Sequence, residues 1–331
     1  MKRNLSSTLT IFAIILLFVQ PVSAAAPYSI QDLGNLGRTW AGATGINERG
    51  QVVGWSQMAS LETHAFLWEK GIMTDLGLLG GFQSSAEDIN NRGQIVGWSH
   101  TATSTISHAF LWEKGTMTAL ETLPGGDWSW ARDINERGQI VGFSDSTSSA
   151  EHAVLWQNGT ITDLGTLGGL YSHADGLNAR GQVVGGSSTS FGEGHAFLWE
   201  KGTMTDLGTL GGDWSQAHDI NNRGEIVGES YTAFEERHAF LWENGTMTDL
   251  GTLGGRNSAA VAINARGQVV GYSDTASGRT HAFLWENGTM TDLGTLPGGF
   301  ESFAIGINNQ GQIAGRSVDD ESNPHAVLWT R

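Results

Sequence analysis

An all-β chain is the fold class this sequence predicts, and three observations predict it. The word HA(F/V)LW recurs at His64, His108, His152, His195, His238, His281 and His325, in steps of 43 or 44 residues. A second word, INxRGQ or a close variant, keeps the same beat from Ile46, Ile89, Ile134, Leu177, Ile220, Ile263 and Ile307. Glycine fills 47 of the 331 positions, about twice the ordinary share, which suits many tight turns and suits long helices badly. Seven units of this length, each with four strand-like runs, predict a seven-bladed β-propeller of four-stranded antiparallel blades.

Each run carries its own reason. The first, A-x-x-I-N, and the second, G-Q-(I/V)-V-G-x-S, alternate apolar with small or polar residues, as half-buried strands do. The third is H-A-F-L-W-E and the fourth T-M-T-D-L-G. Between the first two stands N-x-R-G, a turn with glycine at the left-handed position. Between the last two stands Asn-Gly or Lys-Gly, the strongest short hairpin signal, because Asn and Gly tolerate positive φ. No stretch after the N-terminal segment has a helical period of useful length.

The ends decide between a propeller and a β-solenoid, which also stacks repeated turns. YSIQDLG (Tyr28 to Gly34) reads as a fourth strand without its other three, and HAVLWTR (His325 to Arg331) as a third strand without its fourth. Pairing the N-terminal strand with the C-terminal strand completes seven units and removes two sheet edges. A solenoid has no use for that match and would show atypical caps. One propeller over residues 25–331 is therefore expected.

Residues 1–24 read as a secretory signal peptide: a basic MKRN, an apolar run from Leu9 to Val19, and a small-residue site ending at Ala24. The apolar run is too short for a comfortable membrane span and no second one follows. Cleavage near Ala24 would leave an exported, soluble chain, periplasmic or extracellular. Removing this segment takes away Lys2 and Arg3 and no acid, so the net charge of −16 becomes −18. Such a field repels nucleic acid and anionic membranes. The absence of cysteine excludes disulfides, thiolate metal sites and a cysteine nucleophile.

The words HAFLW, MTDLGTLGG and INxRGQxVG also resemble the HAF repeat of exported, mostly bacterial proteins. The resemblance spans Tyr28 to Arg331, with departures such as HAVLW at His152 and His325 and LPGG at Leu123 and Leu296. It implies export and repetition. It brings no established activity, so no catalytic residue is carried over.

The repeated residues read as framework. Seven histidines placed one per unit are too far apart to share an ion at ~2 Å bond lengths, and the tryptophans of the same word read as core between units. The repeated Asn of IN sits where a side chain caps a turn. DINNRG has a faint likeness to a calcium loop but supplies one carboxylate where several are needed. No cofactor is expected, calcium being the one ion these turns could be asked to hold.

Function should lie where the units differ. With the first strand innermost, the fourth-to-first and second-to-third connections share one rim, and the constant turns share the other. The first of these loops carries a variable pair, and six of the seven pairs contain an aromatic: Trp40, Phe82, Trp128, Tyr171, Trp214 and Phe300. With Asp127 and Asp213 beside them, these rings suit stacking on sugars or anchoring a protein; the plainer alternative is that they plug gaps between blades. The primary expectation is a non-enzymatic binding or scaffold module for an extracellular glycan or protein. A second is a carbohydrate-active hydrolase or lyase using Asp127, Asp213 or Glu301, with His100, His173, His218, Glu87, Asp175 and Arg132 as further non-repeated groups near the funnel. A third is a structural component of an extracellular matrix.

Overall fold

The computed structural model describes residues 28–102, 106–147 and 150–331. The expected signal peptide at 1–24 lies outside the described residues, as do parts of two variable loops. Among the described residues there are 28 strands and no helix. They form successive four-stranded antiparallel units, the first strand of each lining a central channel. These inner strands are Gly37–Ile46, Gly80–Ile89, Ser129–Ile134, Gly168–Leu177, Gly211–Ile220, Gly254–Ile263 and Glu301–Ile307, and the units are numbered one to seven by them.

Local chemistry explains the hairpins. Lys70, Lys114, Asn158, Lys201, Asn244 and Asn287 adopt φ of 51–53°, and the glycine after each lies at 76–87°. Two successive left-handed residues make the turn whose twist matches a β-hairpin. The LPGG variants start the inner strand late, at Ser129 and Glu301, because the inserted proline lacks a ladder donor. A tight turn absorbs the extra residue, with Gly126 N–H donating to Leu123 O and Gly299 N–H to Leu296 O.

The fourth strand of unit seven comes from the other end of the chain. Ser29–Asp32 pairs antiparallel with Pro324–Thr330, placing Ser29 opposite Thr330 and Asp32 opposite Val327. The units are not fully separate sheets. One parallel bridge, Thr63 with Gln83, joins units one and two, and another, Gly194 with Trp214, joins units four and five.

The apolar core lies between units. One cluster joins Val52, Phe66 and Trp68 of unit one to Ala314, Ala326 and Leu328 of unit seven. Another joins Trp156 of unit three to Val96 and Ala109 of unit two. All seven HAFLW tryptophans belong to such clusters, because alternation along the third strand points Phe and Trp at a neighbouring sheet.

A second framework runs around the channel. The side-chain amide of Asn47 donates to the carbonyl of Asn90, and the same bond links Asn90 to Asn135, Asn135 to Asn178, Asn178 to Asn221, Asn221 to Asn264 and Asn264 to Asn308. Asn308 then donates to the carbonyl of Asn47 at 3.1 Å. Each Oδ1 meanwhile accepts from two turn amides of its own unit, as Asn47 does from Arg49 and Gln51. A buried amide must find partners for every polar atom; this one finds them in two units at once.

Candidate functional site

The repeated polar residues are committed to the framework. In six units the histidine of HA(F/V)LW bonds through Nδ1 to the aspartate of the fourth strand: His64 to Asp75, His152 to Asp163, His195 to Asp206, His238 to Asp249, His281 to Asp292 and His325 to Asp32, at 2.7–2.9 Å. Ala119 takes the place of the aspartate opposite His108. A carboxylate of the adjacent strand thus holds each of these six histidines in the framework. Asp88, Asp133 and Asp219, which precede the turn suspected of calcium binding, accept the N–H of the next unit's Ile134, Leu177 and Ile263. Among the described residues no group of three or more His, Asp or Glu gathers to hold a metal ion.

The departures from the repeat cluster in one sector. Every inner strand has a register shift two residues before its isoleucine or leucine. A bulge re-aims the extra side chain, and here it aims Thr44, Glu87, Arg132, Asp175, His218, Val261 and Ile305 at the channel, a space of about 250 Å³. Four consecutive units, two to five, thus present charged or titratable groups, and the others present apolar groups or threonine. Arg132 lies 3.5 Å from Glu87 and 3.8 Å from Asp175, with its guanidinium over Trp130. Gln216 donates to Asp175, and Trp98 Nε1 donates to Glu87 at 3.1 Å. The sequence-selected group Glu87, Arg132, Asp175 and His218 is therefore brought together.

Burial shapes the protonation of this wall. It pushes the Glu87 and Asp88 carboxyls up. Asp133, half-buried and facing Asp88, is pushed well above its ordinary value, and Asp219 is pushed up to about 6. His218 is pulled down by burial but pushed up further by Glu229 and Asp175, so its net direction is upward.

The six rim aromatics do not behave alike. Trp40, Phe82 and Tyr171 are 48%, 43% and 50% exposed. Trp40 donates to Asn323 at 2.9 Å, and Phe82 meets His100 edge-on at 4.7 Å. Trp128, Trp214 and Phe300 are half-buried: Trp128 packs edge-on against Phe143, Trp214 tilts against Tyr231 at 5.6 Å, and the Arg279 guanidinium lies over Phe300. Trp40, Phe82, Tyr171 and Trp214 sit inside ten-residue inner strands rather than on loop tips. Asp127 is exposed and its backbone N–H donates to Asp145; Asp213 is exposed beside Trp214.

One pair of units combines these features into a cleft. Between units four and five a space of about 700 Å³ is bounded by Phe191, Glu193, Asp213, Trp214, Tyr231 and Arg237, with Glu229 on its floor. A second space of about 660 Å³ adjoins it and shares Glu193, Asp213 and Tyr231. Trp214 fits because Gly194 has no side chain: a Cβ there would lie 2.8 Å from the indole Cδ1. Phe191 is 90% exposed at the cleft's edge.

Sequence reasoning missed the floor of this cleft. At the second-strand position before the serine of G-x-S the units carry Trp55, Trp98, Phe143, Gly186, Glu229, Tyr272 and Arg316. Three of the aromatic members join a belt with inner-strand rings: Trp98 stacks on Trp130 at 4.9 Å, Phe143 tilts over His173 at 4.3 Å, and Tyr272 meets Phe303 at 5.2 Å. The belt breaks at units four and five, where Gly186 makes room for Gln216 and Glu229 replaces a ring. The signal was visible in the aligned words as one acid in a column otherwise aromatic, glycine or arginine.

No family model matches the sequence, and no curated protein does. Solved structures do match. A puromycin hydrolase is 13% identical with a TM-score of 0.58, over 92% of this chain and 55% of that one. A puromycin-hydrolysing peptidase from Mycobacterium tuberculosis is 11% identical at 0.58 over the same shares. The BP39L lectin from Burkholderia pseudomallei is 10% identical at 0.51, over 90% of this chain and 96% of that one. The chain spans about half the length of the two hydrolases it matches. Likeness at such identity is one of fold, and the fold it identifies is an all-β, β-propeller-like one.

Proposed function

We propose that this chain is an exported, non-enzymatic binding module of the HAF-repeat kind, a seven-bladed propeller that takes carbohydrate in the rim cleft between units four and five. The observation that carries the reading is the cleft itself, where Trp214, Tyr231 and Phe191 stand beside Asp213, Glu193, Arg237 and Glu229. Aromatic faces cover the apolar side of a pyranose, and a few polar groups fix its hydroxyls, which is how small-molecule sites are generally built. A lectin with the same type of fold is in keeping with this. Closure of the propeller is supported by the Asn308–Asn47 bond and by the pairing of Ser29–Asp32 with Pro324–Thr330.

An enzyme reading has less to stand on. Asp127 precedes the inner strand of unit three, Asp213 lies within that of unit five and Glu301 begins that of unit seven, so the three acids stand on units that are not neighbours. The test is a glycan-array screen of the protein beside Trp214→Ala, with Trp128→Ala as the control ring. Binding that Trp214→Ala weakens at least roughly tenfold, while Trp128→Ala leaves it, supports the cleft. Absence of any glycan binding by the parent protein defeats the reading.

A further inference from the structure

The rim of constant turns changes character between units two and three. There a space of about 510 Å³ opens beside the Asn158-Gly159 hairpin, with Arg92, Arg137 and Gln157 among its polar walls and Leu111, Leu120 and Trp156 among its apolar ones. Three departures from the repeat meet in it. Gln157 stands where Glu69, Glu113, Glu200, Glu243 and Glu286 end the third strand of five other units. Ala119 stands where the other six units place an aspartate. Leu120, next to it, is half-buried, whereas its counterparts Leu33, Leu76, Leu164, Leu207, Leu250 and Leu293 are buried. Two acids are thus missing from this junction, and an apolar side chain is uncovered.

Two cations remain. Arg92 of unit two reaches across to the turn of unit three, where a Cβ on Gly138 would lie 2.8 Å from its Nη2. Its guanidinium therefore lies over the residue that follows Arg137. Arg223 makes the same reach over Gly267, but there Glu225 takes the guanidinium at 2.6 and 3.0 Å. In unit two the position of Glu225 is held by Gln94, and among the described residues no carboxylate pairs with Arg92 or Arg137. Both arginines are exposed, so a solute reaches them. Glu121, the one acid of the lining, is exposed and pairs with neither, while its carbonyl accepts Trp156 Nε1 at 2.7 Å. Two guanidiniums against one carboxylate leave the pocket a single net positive charge, in a chain whose net charge is −16. Guanidinium groups bind carboxylates through paired N–H donors. The half-buried Leu111 and Leu120 gain by being covered with hydrocarbon.

We propose that this pocket is a second binding site, taking a monoanionic organic acid with its carboxylate on Arg92 and Arg137 and its hydrocarbon part against Leu111 and Leu120. It stands apart from the cleft between units four and five and does not rest on the carbohydrate reading. Arg92 and Arg137 bind the ligand, and Gly138 admits the first of them. Gln157 matters by being neutral, since the glutamate of the other units would set a like charge close to the ligand's own, where repulsion is strong.

The experiment is a ligand-observed NMR titration of the full chain with hexanoate and 3-phenylpropanoate, each beside its uncharged amide. The expected result is binding of at least one acid, with its amide at least roughly tenfold weaker. Arg92→Gln should weaken the acid at least roughly fivefold, and so should Gln157→Glu. The second variant restores the residue that five other units carry. It also keeps an acceptor for Gln139 Nε2, as Glu286 accepts from Gln268, so it retains the fold. Arg49→Gln, the same turn position one unit earlier, should leave binding as it is in the parent. An acid and an amide that bind equally overturn the proposal, as does a Gln157→Glu protein that binds the acid as the parent does. A loss at Arg49→Gln equal to that at Arg92→Gln overturns it too, by placing the ligand outside this pocket. Failure of both acids to bind the parent overturns it outright, and none of these results touches the carbohydrate reading.

Discussion

Asn308 donates its side-chain amide to the carbonyl of Asn47 at 3.1 Å, joining residues 261 positions apart by the same bond that joins each unit to the next. The same contact is seen at an internal junction such as that of units four and five, where Asn178 donates to the carbonyl of Asn221. Asn308→Ala and Asn178→Ala each remove this bond and leave buried groups unpaired, a loss of about 1–3 kcal/mol. The two variants should agree within about 0.5 kcal/mol in urea denaturation. A much smaller loss at Asn308 would mean that the junction is open in solution.

Removing Tyr28–Gly34 tests the same junction from the strand side. Trp329 is fully buried, and Tyr28 and Ile30 pack on its cluster. Without the strand, the third strand of unit seven becomes an edge and that core is uncovered, a penalty on the order of burying one large aromatic, about 3–5 kcal/mol. The truncated protein should melt markedly lower, and a synthetic peptide of residues 28–34 should restore part of the loss.

The channel carboxyls make stability depend on pH in a definite direction. Asp133 is held well above its ordinary value by burial first and by Asp88 second, and Asp219 is held up to about 6. An acid with a raised folded pKa binds its proton more tightly in the native state than unfolded. Its contribution is greatest below the unfolded value, near 3.8, and is lost as pH rises through the folded one. Asp133→Asn keeps an oxygen for the Leu177 N–H, 2.7 Å away, and cannot ionise. The variant should nearly match the parent near pH 4 and melt about 3 °C higher at pH 7.5. Equal Tm differences at the two pH values would refute the assignment.

Ala119 stands where six other units place an aspartate. Ala119→Asp should let His108 form the bond seen at His238 and Asp249, 2.7 Å long in that unit. The pair is exposed, so the gain is about 0.5 kcal/mol. Urea denaturation of the variant beside the parent would read the gain.

The architecture was legible because each strand had to satisfy the same neighbours in every copy. The Asn-Gly and Lys-Gly turns could be assigned from backbone chemistry alone, and the match between YSIQDLG and HAVLWTR identified the partner of Pro324–Thr330. The rim aromatics were legible as a set but not individually. Whether Trp128 packs on Phe143 or Trp214 lines a cleft depends on single residues in another strand, Phe143 in one case and Gly194 in the other. The bulges were hidden as well, since a one-residue register shift leaves no mark on composition. Glu229 escaped because attention to loops passes over a strand position, although strands here aim side chains at the cleft floor.

The pairing of Ser29–Asp32 with Pro324–Thr330 also sets an order of events. Units one to six each hold four consecutive strands and can assemble as they emerge, whereas the seventh needs segments about 300 residues apart (Ser29 Oγ meets Thr330 Oγ1 across 301 positions). At a synthesis rate of roughly 5–20 residues per second the early strand waits on the order of 15–60 s for its mate. The last sheet can therefore be completed only when both ends of the chain are present, and the short SIQD segment is the piece of the molecule left longest without a partner.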